Sequence, residues 1–273
     1  MRRPDLCLFG ATALASGWVG VGVNRLARQP DSMESPGTLV WLLTPPATAL
    51  ALRRRRYGRF LLGRAGTSPR AGSVAWTTAA TAYPVMTAAS VLVGRATGLA
   101  DTRDVDLRGI GSTMAAAVLP ALVKNLAEEV SWRGFLTEEL LQEGTGRIPL
   151  TLVVGLVWGA WHAPYYLFFL PEEQMRQVLD VDRGTFAVVA CGVTVCWTVL
   201  FTEVYALTRS VWPAAVMHAV EDAVANPPVI DGGVRFTPAG QRLLSPVLGA
   251  VTACAHAGLG LLVRRLGRGR AAG

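Results

Sequence analysis

Apolar residues occupy long runs along the chain, and most charged residues lie between these runs. The hydrocarbon core of a bilayer is ~30 Å thick and needs about 20 apolar residues for each crossing helix. Helices are the natural structure for such runs, because a chain in lipid must satisfy its own backbone hydrogen bonds. The pattern therefore predicts an all-α, polytopic membrane protein with about eight transmembrane helices. We place the spans at Leu6–Val23, Thr38–Leu52, Val74–Val93, Ser112–Leu136, Ile148–Leu170, Phe186–Leu207, Val211–Ala225 and Leu243–Val263.

The composition agrees with this prediction. Charged residues make up 16% of the 273 residues, against about 25% in ordinary soluble domains. The formal net charge is +7, and every basic residue except Lys124 is an arginine. The arginines follow the ends of the apolar runs and form no stripe interleaved with aromatic residues, so we expect no nucleic-acid partner. The lipid bilayer is the expected partner of most of the surface.

Basic residues also indicate the orientation of the chain, because they collect on the cytoplasmic side of a membrane. The block Arg53–Arg56 has the largest influence here. We therefore predict a multi-pass protein of the cell membrane, with this block and both the N- and C-termini in the cytoplasm.

Ionisable residues inside three predicted spans indicate a functional site, because each costs about 2.5–3.5 kcal/mol at the middle of a membrane helix. They are Glu128, Glu129 and Arg133 in the fourth span, His162 in the fifth, and His218, Glu221 and Asp222 in the seventh. Glu129 and Arg133 are four residues apart, so they share a helix face and can pair. Glu128 is rotated by about 100° from Glu129. We expect the three helices to converge on one polar pocket within the membrane, open to the cytoplasmic side.

This set of side chains is suited to hydrolysis by water. A carboxylate beside an imidazole can hold and deprotonate a water molecule, and a second histidine can donate a hydrogen bond to the oxyanion of a tetrahedral intermediate. Hydrolysis of an amide is therefore the reaction that the residues favour. A divalent metal such as zinc, bound by Glu128, His162 and His218, is an open alternative. No HExxH motif selects zinc.

Three short motifs carry a resemblance to a known family. They are Glu128-Glu129-x-x-x-Arg133-Gly134, Trp158-x-x-x-His162 and His218-x-x-x-Asp222, each on its own apolar span. In this order they resemble the CPBP family of intramembrane proteases. That family includes the CAAX proteases and the Abi bacteriocin-processing enzymes, and it is related to the type II CAAX prenyl endopeptidase. The resemblance covers about residues 112–226.

The resemblance implies a role for each motif. Glu128 and His162 would activate water, and Glu129 would support the site and orient Arg133. His218 and Asp222 would lie at the corner that stabilises the oxyanion. Members of the family are described as glutamate-type or metal-dependent endopeptidases, so the resemblance leaves the metal open.

The second and third motifs depart from the family pattern. Trp158 stands where phenylalanine is usual, which changes the packing. Asp222 stands where the eukaryotic-type enzymes have asparagine. An ionised carboxylate cannot donate a hydrogen bond to an oxyanion. Asp222 would therefore be protonated, orient His218 or help to hold a metal.

We predict from these observations an intramembrane endopeptidase that cleaves a membrane-embedded or lipidated peptide or protein. Its role would be the processing of a peptide or bacteriocin, or self-immunity. The predicted organisation has N-terminal helices in residues 1–110, a catalytic core in 111–226, and a C-terminal helix with a basic tail in 227–273. Two alternatives stay open: a non-catalytic membrane scaffold or immunity protein, and a transporter whose buried acids relay ions.

Overall fold

The computed structural model describes residues 3–57, 69–230 and 233–268, and the end of the predicted basic tail lies outside them. Within these ranges the secondary structure is helical apart from one pair of two-residue strands, which confirms the all-α prediction. The helices are α1 (Arg3–Ala27), α2 (Pro36–Tyr57), α3 (Pro69–Ala96), α4 (Leu107–Ser131), π1 (Trp132–Thr137), α5 (Glu138–Gln142), α6 (Arg147–Trp161), π2 (Tyr165–Phe169), α7 (Glu172–Val178), α8 (Arg183–Thr208), α9 (Val211–Val224), α10 (Pro227–Ile230), α11 (Pro238–Leu243) and α12 (Ala250–Arg268). The strands β1 (Ala100–Asp101) and β2 (Arg235–Phe236) are antiparallel, with Ala100 opposite Phe236.

Four helical segments are long and apolar enough to cross a membrane. They are Pro4–Ala27, Leu107–Gln142, Arg147–Phe169 and Arg183–Thr208. These segments coincide with the first, fourth, fifth and sixth predicted spans and are consistent with a polytopic membrane protein. The other predicted spans fall mainly in α2, α3, α9 and α12, and the total of about eight crossings stays a prediction.

Two predicted spans have different limits in the structure. The last was placed at Leu243–Val263, but α12 begins at Ala250. Pro246 explains the later start, because the residue before a proline avoids the α-helical conformation. The fourth span was ended at Leu136, but its helix continues through π1 and α5 to Gln142.

Capping side chains explain where three helices begin. The side chain of Asp106 accepts a hydrogen bond from a backbone N–H in the first turn of α4. Asp182 caps α8 in the same way, and Ser210 caps α9. Such caps satisfy N–H groups that have no partner within the helix. The hydroxyl and backbone N–H of Thr185 also hold the pKa of the Asp182 carboxyl below its usual range.

Close packing brings the motif-bearing helices together, with α4 against α9 and α6 against α8. Gly155 and Gly159 let α6 approach α8, because a Cβ at Gly159 would lie 2.9 Å from the Cα of Cys191. Helix α2 covers the same region from the N-terminal part of the chain. Its Trp41 stacks on Trp161 with ring centroids 4.4 Å apart.

Candidate active site

Glu129 lies at the centre of a buried charge network. Its Oε1 accepts hydrogen bonds from Arg133 Nη1 at 2.9 Å and from His218 Nδ1 at 2.9 Å. Arg133 is fully buried, and its guanidinium carbon lies 4.2 Å from the ring centroid of Trp158 and 4.4 Å from that of Phe201. Because an ionised carboxylate only accepts, Nδ1 of His218 is the donor and Nε2 is left for another partner. The network therefore contains the expected Glu129–Arg133 pair and also fixes the imidazole of α9.

Glu128 has different partners from Glu129, as the rotation of about 100° between neighbouring helix positions requires. Its Oε2 accepts a hydrogen bond from Trp158 Nε1 at 3.4 Å. Its Oε1 lies 3.7 Å from Lys124 Nζ. The Glu128 side chain is 2% exposed, and these two contacts do not join it to Glu129. The two adjacent acids of the first motif therefore have different hydrogen-bond and ion-pair partners.

His162 lies at the C-terminal end of α6, two residues before Pro164, which precedes π2. Its Nδ1 lies 2.9 Å from the backbone oxygen of Trp158. Since a carbonyl only accepts, Nδ1 carries the proton and Nε2 of the neutral ring is an acceptor. The ring also stacks on Tyr166, with centroids 5.7 Å apart. Short π-helices such as π1 and π2 occur frequently at functional sites.

A cavity of about 310 Å³ is lined by residues of the second and third motifs. Its polar lining residues include Lys124, Trp158, His162, His218, Glu221 and Asp222. Glu128 lies beside the cavity, because it contacts both Lys124 and Trp158. Helices α4, α6 and α9 therefore bring the predicted site residues to one place, some as lining and some through their contacts with it.

The cavity extends toward one end of the helical bundle. Its lining includes Met33, Gln174 and Asn226, which lie in loops or near helix ends. The block Arg53–Arg56 lies at the opposite end of α2 from the part of that helix that lines the cavity. The predictions that this block is cytoplasmic and that the pocket opens to the cytoplasmic side therefore do not hold together in the structure. The helical segment that carries Glu128 continues to Gln142, beyond the predicted end at Leu136.

Residues 110–224 match the family model described as type II CAAX prenyl endopeptidase Rce1-like. This segment is similar to the CAAX proteases. The match confirms the resemblance predicted from the three motifs, and its limits are close to the expected 112 and 226. No curated protein matches the chain. We refer to residues 110–224 as the CAAX protease domain.

Lys124 and Asn125 of the CAAX protease domain were missed by the sequence analysis. Lys124 Nζ lies 2.8 Å from Asp222 Oδ2, and Asn125 Nδ2 donates to the same oxygen at 2.8 Å. The available signal was the spacing of four residues between Lys124 and Glu128, which places them on one helix face. Their contact with Asp222 had no such signal, since α4 and α9 are far apart in the sequence.

The arginine block also has contacts that the sequence did not predict. Arg53 is 7% exposed, and its Nη1 donates to the backbone oxygen of Gly134 in π1. Arg56 Nη1 lies 3.3 Å from Glu139 Oε2. Helix α2 lies outside the CAAX protease domain, yet it holds the segment that carries Arg133. The block was interpreted as a determinant of orientation, and these contacts give it a structural role as well.

The residues at the cavity do not favour a second cation. Among the described residues, His218, Glu221 and Asp222 have ligand atoms within 4.8 Å of one another. This group shares only His218 with the predicted metal ligands Glu128, His162 and His218. The ammonium of Lys124 lies 2.8 Å from Asp222 and 3.7 Å from Glu128. Like charges repel strongly where water is scarce, so the ammonium of Lys124 disfavours a metal ion at this position. Lys124 itself supplies the positive charge that a metal would bring.

Proposed function

We propose that the protein is an intramembrane endopeptidase that hydrolyses a peptide bond of a membrane-embedded or lipidated peptide or protein. The observation that carries this proposal is a cavity lined by His162 and His218 and by Trp158 and Lys124, both of which contact the buried carboxylate of Glu128. The CAAX protease family of residues 110–224 supports the same reaction class.

The chemistry starts with water held between the Glu128 carboxylate and His162 Nε2. Glu128 takes a proton from this water while the water oxygen bonds to the carbonyl carbon of the substrate. His218 polarises the carbonyl oxygen, which becomes the oxyanion of the tetrahedral intermediate. The carbon–nitrogen bond then breaks, and the proton on Glu128 passes to the leaving amine. The products are a carboxylic acid and an amine, which exchange a proton to give a carboxylate and an ammonium, and Glu128 is ionised again.

The other motif residues act as positioning residues in this mechanism. Glu129 receives the Nδ1 proton of His218 at 2.9 Å and so keeps Nε2 directed to a second partner. Arg133 balances the charge of Glu129 beneath the cavity. No step requires a metal, in keeping with the position of Lys124.

The proposal is tested by cleavage of fluorogenic apolar peptides, with and without a lipid anchor, by purified protein in bilayer nanodiscs. We expect Glu128→Gln and His162→Ala each to lower kcat by about 10²–10⁴-fold. Glu172→Gln is the matched control, because Glu172 is 55% exposed on α7, pairs with Arg176 and is not one of the residues that line the cavity. It should retain the activity of the wild type.

Three results would separate this proposal from its alternatives. Activity that survives a chelator supports the metal-free mechanism, whereas loss that a divalent ion restores would favour a metalloenzyme. A scaffold would keep its biological function in the Glu128→Gln variant. A transporter would show ion flux in proteoliposomes and no cleavage of any peptide.

A further inference from the structure

Lys124 joins acids of two helices at the wall of the cavity. Its Nζ lies 2.8 Å from Asp222 of α9 and 3.7 Å from Glu128 of α4. The side chain is 38% exposed, whereas that of Glu128 is 2% exposed. Among the described residues that line this cavity, no other lysine or arginine is present. Lys124 is therefore both accessible from the cavity and adjacent to the proposed base.

Asp222 is unsuited to stabilise a negative oxygen at this wall. It accepts hydrogen bonds at 2.8 Å from both Lys124 and Asn125, and an ionised carboxylate has no donor of its own. An ammonium, in contrast, has three donors. The hydrogen bond to Asp222 takes one of the three, and the 3.7 Å separation from Glu128 is too long for a hydrogen bond. Donors of Lys124 are therefore left for an oxygen in the cavity.

We propose that Lys124 is a catalytic residue whose ammonium donates a hydrogen bond to the developing oxyanion of the substrate. This inference rests on the proposed function, because the oxyanion forms when water activated by Glu128 attacks a carbonyl. The separation of 3.7 Å between Lys124 Nζ and Glu128 Oε1 places both groups around one reacting centre, within the reach that such a pair needs. Asp222 and Asn125 are the positioning residues that hold the ammonium there.

A purely structural ion pair between α4 and α9 is the alternative role of Lys124. The two roles differ in their response to apolar replacement of both partners. A structural pair is replaceable by well-packed apolar residues, so the double variant Lys124→Met/Asp222→Leu would recover folding and turnover. A catalytic ammonium is not replaceable in this way, so the double variant would fold but stay slow.

The kinetic test compares kcat and KM for the wild type, Lys124→Met, Lys124→Arg and the double variant on the same peptide. We expect Lys124→Met to lower kcat by about 10²–10³-fold, with a much smaller change in KM. Lys124→Arg, which keeps a cationic donor, should recover most of this loss. The double variant should melt like the wild type and remain as slow as Lys124→Met. Recovery of wild-type kcat by the double variant would overturn the proposal.

A binding test decides the matter even without turnover. The probe is a short apolar peptide in which a phosphonate replaces the cleaved bond, and its neutral ketomethylene analogue is the control. We expect the wild type and Glu128→Gln to bind the phosphonate about 10²-fold more tightly than Lys124→Met does, with equal binding of the ketomethylene.

The two proposals fail separately in these experiments. Equal phosphonate binding by the wild type and Lys124→Met would overturn the role of Lys124. Absence of peptide cleavage by the wild type would instead overturn the proposed function. If Lys124→Met does not fold, the double variant takes its place in both comparisons.

Discussion

Glu128 and Glu129 are adjacent in the sequence, but they have different physical roles at the residue scale. Glu129 is fully buried and bonded to the fully buried Arg133. Glu128 lies against Lys124, whose ammonium is partly exposed and is also paired with Asp222. Neutralising one acid therefore has a different consequence from neutralising the other.

We expect Glu129→Gln to destabilise the fold by about 3–5 kcal/mol, because it leaves the guanidinium of Arg133 buried without its counter-charge. Glu128→Gln makes the same chemical change and is the control. Its free energy of unfolding should lie within about 1 kcal/mol of that of the wild type, since Lys124 keeps Asp222 as a partner. The free energy of unfolding is measured by titration with sodium dodecyl sulfate in mixed micelles. Equal losses in the two variants would contradict the separation of roles.

At the scale of elements, π1 depends on a side chain from outside the CAAX protease domain. A π-helix interrupts the regular backbone hydrogen bonds of the helix around it. The oxygen of Gly134 within π1 accepts a hydrogen bond from the buried Arg53 of α2. Arg133 is the preceding residue, so the anchoring of π1 and the position of the Glu129 network are connected.

We expect Arg53→Met to lower stability by about 1–3 kcal/mol, because it leaves a buried carbonyl without its donor. The position of Arg133 should shift as well, so kcat for the peptide should fall. Arg55→Met removes the same charge from the same helix, but the Arg55 side chain is 66% exposed in its pair with Asp5. It should therefore cost less than about 1 kcal/mol. If the two variants unfold alike and cleave alike, the anchoring role of Arg53 is wrong.

At the scale of the whole molecule, periodicity and charge were enough to predict the apolar helices and the local pairs. The Glu129–Arg133 contact follows from a spacing of four residues on one helix. Contacts between distant helices had no such signal. The bonds of Lys124 to Asp222 and of Glu129 to His218 depend on how α4 packs against α9.

The local backbone geometry could not be predicted from the sequence patterns either. A run of apolar letters does not distinguish an α-helix from π1 or π2, and it continued through the turn around Pro246 that precedes α12. The same limitation misplaced the end of the fourth span, which hydropathy alone put at Leu136 and the structure puts at Gln142.

The orientation of the bundle now gives a prediction about access to the cavity. If Arg53–Arg56 lies in the cytoplasm, as the distribution of basic residues predicts, the cavity mouth near Gln174 faces the opposite side. The test uses single cysteines at Glu143 and Glu173, which flank the candidate span Arg147–Phe169, after the four native cysteines are replaced by alanine.

We expect a membrane-impermeant maleimide to label Glu173→Cys in intact cells, and to label Glu143→Cys only after permeabilisation. Both variants should label fully in detergent, which controls for burial of the new thiol. The reverse pattern would show that the cavity opens to the cytoplasm and that the arginine block does not set the orientation. Labelling of both cysteines from one side would show that Arg147–Phe169 does not cross the membrane. The expected pattern would instead give the proposed protease access to substrates from the side of the membrane opposite the arginine block.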